Sequence, residues 1–117
     1  MRIIENNIIH KELAGGRWFK LSLVEQMANI GSDVFRTISW RDKGDLEYSR
    51  QAFERVLELI DLTVADSKHK GRLREILRMR EALVDYFMYD NEYGSSDVLW
   101  QQYFNCFNYA AALARGR

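Results

Sequence analysis

The residues of this chain best suited to chemistry are its cations. Between residues 68 and 80, "KHKGRLREILRMR" sets Lys68, Lys70, Arg72, Arg74, Arg78 and Arg80 against the single Glu75. Residues 81 to 97 then carry Glu81, Asp85, Asp90, Glu92 and Asp97 and no cation. A basic stretch of this kind can hold phosphates. Lys68, Lys70, Arg72, Arg74 and Arg78 are therefore candidate contacts for RNA or another anion, with Arg17, Lys20, Arg41 and Lys43 as additions. Two other readings stand beside it. Salt bridges to Glu47, Glu54, Glu58 and Asp61 would make the stretch a solvated face, and the basic and acidic ends of two copies could pair across a symmetric interface. The order of charge is the reverse of what a helix prefers, since its N-terminal end favours acids and its C-terminal end bases. Something outside the helix must compensate.

Arg80 poses a sharper question. In "REILRMREALVDYF", Ile76, Leu77, Leu83, Val84 and Phe87 fall on one helical face, and Arg80 sits among them. An unpaired guanidinium buried there would cost several kcal/mol. Glu54 and Asp61 border the apolar stripe of the preceding helix, so a buried ion pair of Arg80 with Glu54 or Asp61 is expected. Snorkelling of the side chain to water is the other structural outcome. A ligand-gripping arginine is the functional one, because guanidinium can hold a carboxylate or phosphate with two parallel bonds.

Other chemistry is poorly provided for. His10 and His69 are the only histidines, and the paired Glu-x-x-His of metal-dependent bundles is absent. Cys106 with two scattered histidines makes a poor zinc set. The sequence contains no Ser/His/Asp set, phosphate-cradling glycine loop or GxGxxG. "DNEYGSSD" has oxygen donors at Asp90, Glu92 and Asp97 but lacks calcium-loop spacing and the closing glutamate, so it reads as an interhelical turn. Glu81 and Asp85, one turn apart, read as solvated. The expectation is a chain without a catalytic site, metal or cofactor.

The elements that must position these residues are helical. Proline is absent, and 47% apolar with 29% charged residues excludes a disordered chain. A length of 117 residues fits a single domain spanning 1–117. Residues 1–20 form an arm, with Ile3, Ile4, Ile8 and Ile9 around "ENN" pointing to a small hairpin or an extended strap.

Four helices are predicted at about 22–41, 45–65, 70–89 and 96–114. "SLVE" is a capping box opening the first, and Gly31 on its apolar face would let a neighbour approach closely. Gly44 suits the closing position of that helix, Asp45 caps the second, and Ser95 or Ser96 caps the fourth. Short connections favour an all-α, antiparallel up-down four-helix bundle. The fourth helix carries Leu99, Trp100, Tyr103, Phe104, Phe107, Ala110, Ala111 and Ala114 on a very broad apolar arc. Deep burial beneath the N-terminal arm explains such an arc, and so does a self-association surface.

Zero formal net charge gives no global field toward nucleic acid or membrane. No stretch is long and apolar enough to span a bilayer, the interrupted N-terminus makes a poor signal peptide, and a lone cysteine fits a reducing compartment. A cytoplasmic protein is expected.

The run "GRWFKLSLVEQMANIGSDVFRTISWRDKG", continuing through "AFERVLELIDLTVAD" and "GRLREILRMREALVDYF" to "DNEYGS", resembles a group of small uncharacterised prokaryotic helical proteins over about residues 16 to 107. That likeness implies a compact helical domain and transfers no functional residue. More loosely, the architecture is similar to four-helix domains of the HEPN type, whose ribonuclease members carry an arginine followed after four to six residues by a histidine. Neither His10 nor His69 has such an arginine upstream. The leading expectation is a non-catalytic bundle acting through protein–protein association, as a homodimer. An RNA- or anion-binding accessory module is the alternative.

Overall fold

A computed structural model describes residues 16–116. It holds four α-helices and, among the described residues, no strand: α1 (Leu23–Asp42), α2 (Leu46–Val64), α3 (Leu73–Met88) and α4 (Asp97–Arg115). Two short 3₁₀ turns, Trp18–Lys20 and Ser67–Arg72, precede α1 and α3. The hairpin expected of the arm lies outside the described residues, apart from the segment that forms the Trp18–Lys20 turn.

Local chemistry sets the helix ends. Ser22 accepts the Glu25 amide, and the Glu25 carboxylate accepts the Ser22 amide, closing the capping box of α1. The chain leaves α1 through Gly44 at φ +82°, a left-handed conformation that glycine adopts without a Cβ clash. Asp45 and Ser96 cap α2 and α4 by accepting the amides of Tyr48 and Leu99.

α1 packs on both α2 and α4, and α3 rests against α2. The core gathers Ile30 and Val34 of α1, Val56 and Ile60 of α2, Ile76 and Leu83 of α3, and Phe104 of α4. Each such side chain contributes on the order of 1.5–3 kcal/mol by leaving water. The ends of α1 and α2 are tied by polar contacts. Near the turn between them, Ser49 donates to the Thr37 carbonyl at 2.9 Å. At the far end, Gln26 reaches Asp66 at 3.0 Å. Gly31 lets α4 come close, since a Cβ built there would stand 2.7 Å from the Phe104 Cβ.

Two expectations are corrected. Helix four is not deeply buried: only Trp100, Phe104 and Ala111 are buried, at the i, i+4, i+11 spacing of one narrow stripe facing α1. Val98, Leu99, Tyr103, Tyr109 and Leu113 lie exposed. The buried stripe of α3 is also rotated from the expected one. It runs through Ile76, Met79 and Leu83, and this turns Leu77 outward to 48% exposure.

Candidate functional site

That rotation disposes of the puzzle at Arg80. With Met79 facing inward, Arg80 lies at the edge of the α2–α3 contact, its side chain 34% exposed. Its Nε donates to Asp61 Oδ1 at 2.9 Å, and the Asp61 side chain is 60% exposed. The pair expected to be buried is therefore a surface pair, because the helix turned to give the guanidinium water. Glu54 is not its partner; it accepts from Arg50 one turn earlier on α2, at 2.6 Å.

The basic candidates are dispersed by the fold. Lys68 Nζ donates to Asp66 Oδ2 and to the Phe19 carbonyl, both at 2.7 Å, so it clasps the turn before α1 and is not offered to a ligand. Arg72 sits 3.9 Å from Glu75, both exposed. Lys70, Arg74 and Arg78 are exposed and, among the described residues, have no carboxylate within ion-pair distance. Of the salt bridges expected to Glu47, Glu54, Glu58 and Asp61, the one from Arg80 to Asp61 forms, whereas Lys68 pairs with Asp66 and Arg72 with Glu75. Three cations project along one side.

On that side α3 borders two depressions. One, of about 550 Å³, runs between α3 and α4 and is walled by Met79, Ala82, Leu99, Trp100 and Tyr103 with Arg78 at its lip. Trp100 buries its indole N–H there without an acceptor among the described residues. Burial raises the Tyr103 phenol above its ordinary range, and the nearby charge of Glu75 adds to this. The other, of about 790 Å³, is lined by Leu77, Arg80, Glu81, Asp85, Glu92 and Tyr93, among others, and is predominantly acidic.

The loop closing these depressions is held by side chains. Asp85 accepts the amides of Glu92 and Tyr93 at 2.9 and 3.1 Å, while Asn91, at φ +55°, exchanges two hydrogen bonds with the Ser95 backbone. The Glu81 carboxylate near the Tyr93 phenol holds that phenol above its usual value. Where α4 begins, Asp97 accepts from Tyr86 at 2.5 Å and from Arg41. Burial alone would raise the Asp97 carboxyl. The hydrogen bonds of Tyr86 and Arg41 outweigh it and hold the group below its ordinary value.

Sequence reasoning missed the most connected polar cluster, which lies at the opposite end of α1. Gln26 is fully buried, and its amide nitrogen donates to the Trp18 carbonyl and to Asp66, each at 3.0 Å. Both partners are acceptors, so the Gln26 oxygen faces His69 Nε2 at 2.7 Å and the imidazole carries its proton on Nε2. Trp18 Nε1 donates to Thr63 at 3.1 Å. Burial pushes the Asp66 carboxyl up, but bonds from the Lys68 side chain, Gln26 and the Lys68 amide hold it at about 2. Gln26 lies 40 residues from Asp66 and 43 from His69, and Trp18 lies 45 from Thr63, so no local spacing announces these pairs. Gln26, Thr63, Asp66 and His69 are buried and hydrogen-bonded to one another or to Trp18, so the cluster fastens the chain.

Among the described residues, no three His, Cys, Asp or Glu side chains are grouped to hold a metal ion, and no helix is long and apolar enough to cross a membrane. Comparisons with protein-family models, with curated proteins and with solved structures find no match.

Proposed function

We propose that this chain is a non-catalytic helical module working by protein–protein association in the cytoplasm, pairing with a second copy of itself across the face shared by α3 and α4. The observation that carries it is the apolar side of α4. Leu99 is 54% exposed, and with Tyr103 it rims a depression whose walls are apolar. Val98, Tyr109 and Leu113 extend the exposed surface along the helix, and apolar patches of this kind mark interaction sites. The enclosed state of the one elaborate polar cluster supports the non-catalytic part. The four-helix architecture and the absence of the arginine–histidine spacing from the sequence support placing the chain beside the non-ribonuclease HEPN-type domains.

Light scattering across a concentration series tests the reading. The expected result is a dimer that Leu99→Asp with Tyr103→Asp converts to a monomer whose helical circular dichroism matches the parent's. A strictly monomeric parent that copurifies with no protein overturns it.

The alternative, an RNA- or anion-binding module, is favoured by one observation: Lys70, Arg74 and Arg78 lie exposed without carboxylate partners among the described residues. Filter binding at low salt tests that, with retention expected to fall steeply as salt is added.

A further inference from the structure

We propose that the outer ridge of α3 is a two-fold pairing surface. Arg74 of one copy seats against Glu81 of a second, with the two α3 helices antiparallel and Leu77 and Arg78 beside the axis. This rests on the association reading above and specifies its partner and register.

Helix geometry defines the ridge. With Ile76, Met79 and Leu83 buried, the opposite side of α3 is formed by Arg74, Leu77, Arg78, Glu81 and Asp85, at three- and four-residue spacing. Read along the chain, that side is basic at Arg74 and Arg78 with Leu77 between them, then acidic at Glu81 and Asp85. The sequence order has a simple symmetry. Arg74 and Glu81 lie equally far from the midpoint between Leu77 and Arg78. A two-fold axis through that midpoint brings Arg74 of each copy onto Glu81 of the other and sets Leu77 of each copy across from Arg78 of the other. Self-complementarity of this kind is the requirement of an isologous interface.

Electrostatics selects the same partner. Within one copy the charges oppose the helix macrodipole, and Lys70, Arg74 and Arg78 have no carboxylate partner among the described residues. An antiparallel second α3 supplies Glu81 to Arg74 and Arg74 to Glu81 at once. The acidic depression next to Leu77 is where the basic half of the second copy arrives, and exposed Tyr89 and Tyr93 at its margin can cover the aliphatic stems of arginine or lysine. A nucleic acid fits this ridge poorly, since phosphates drawn to Arg74 meet Glu81 and Asp85 about two and three turns on. Exposed ion pairs fix register more than affinity. Tight association therefore also draws on Leu77, Tyr89, Tyr93 and the flank of α4.

A charge-exchange experiment reads the register directly. Arg74→Glu/Arg78→Glu and Glu81→Lys/Glu92→Lys are made separately, all four positions being exposed, and thermal melts confirm that each folds. Each variant alone is expected to self-associate at least about tenfold more weakly than the parent, because like charges then face one another twice. An equimolar mixture is expected to form the mixed dimer at close to parental affinity, every pair being complementary again. Glu81→Gln, which keeps a hydrogen-bonding group for Tyr93, serves if Glu81→Lys disturbs the loop, and is expected to weaken association a few-fold.

Variants that associate like the parent, or a mixture that stays monomeric, overturn this register. They leave the association reading standing if Leu99→Asp/Tyr103→Asp still dissociates the parent. A parent that is monomeric at every concentration overturns both. RNA retention by a monomeric parent, lost in Arg74→Glu/Arg78→Glu, overturns the pairing in favour of phosphate binding.

Discussion

Gly31 and Phe104 meet so closely that the space a methyl group would occupy at Gly31 lies 2.7 Å from the Phe104 Cβ and 2.9 Å from its ring. The Cβ moves only with the backbone of α4, so no change of rotamer can relieve the clash. Overpacking of this kind costs about 1–3 kcal/mol, against roughly 1 kcal/mol gained in helix propensity. Gly31→Ala is expected to lower stability, read as a lower urea midpoint at unchanged slope. A variant as stable as the parent would mean that α4 does not sit against Gly31.

Gln26 is a buried junction, and removing it strands several groups together. In Gln26→Leu the Trp18 carbonyl, the Asp66 carboxylate and His69 Nε2–H each lose a partner. The expected loss is about 3 kcal/mol. Trp18 is buried beside the junction, so its fluorescence maximum should shift to the red in the same variant.

Asp66 makes folding pH-dependent in a definite direction. Its carboxyl is held at about 2 in the fold against 3.8 as the ordinary value. A depressed carboxylate stabilises the fold above the ordinary value, and that contribution is lost as pH falls from about 3.8 through about 2. Asp66→Asn should lower stability at neutral pH and flatten the loss between those limits, measured by urea denaturation at each pH.

Asp97 joins three helices, accepting from Tyr86 of α3 and Arg41 of α1 at the first turn of α4. Asp97→Ala is expected to cost about 2 kcal/mol, partly relieved because the Arg41 guanidinium can reach water. Phenol titration offers a second readout. Burial raises the Tyr86 pKa first and Asp97 adds to it, so Asp97→Ala should bring the Tyr86 ionisation down.

Arg80 should be nearly silent. Its pair with Asp61 is open to water on both sides, and exposed pairs contribute about 0–1 kcal/mol. Arg80→Met is expected to change stability by no more than that in urea denaturation. A loss of several kcal/mol would place the guanidinium in the interior after all.

The contrast between Arg80 and Ser22 shows which parts of this fold are legible. The Ser22 capping box, the Gly44 turn and the Asp45 cap are settled by residues within four positions of one another, and the sequence displays all of them. The close approach at Gly31 was also legible, although its partner Phe104 was not. On α3, apolar residues occupy 76, 77, 79, 83, 84, 86 and 87, which allows two centres for the buried face. Centring on Leu77 buries Arg80; centring on Met79 frees it. The choice is made by the cost of dehydrating a guanidinium and by Asp61 on another helix, a tertiary fact. For the same reason Gln26, Asp66 and His69 looked like ordinary polar residues until the fold brought them together.

The corner between α3 and α4 has one more implication. Because Asp85, Asn91 and Asp97 brace it with hydrogen bonds, its geometry does not rest on apolar packing alone. A leucine in place of Ala82 would take up part of the space between the two helices.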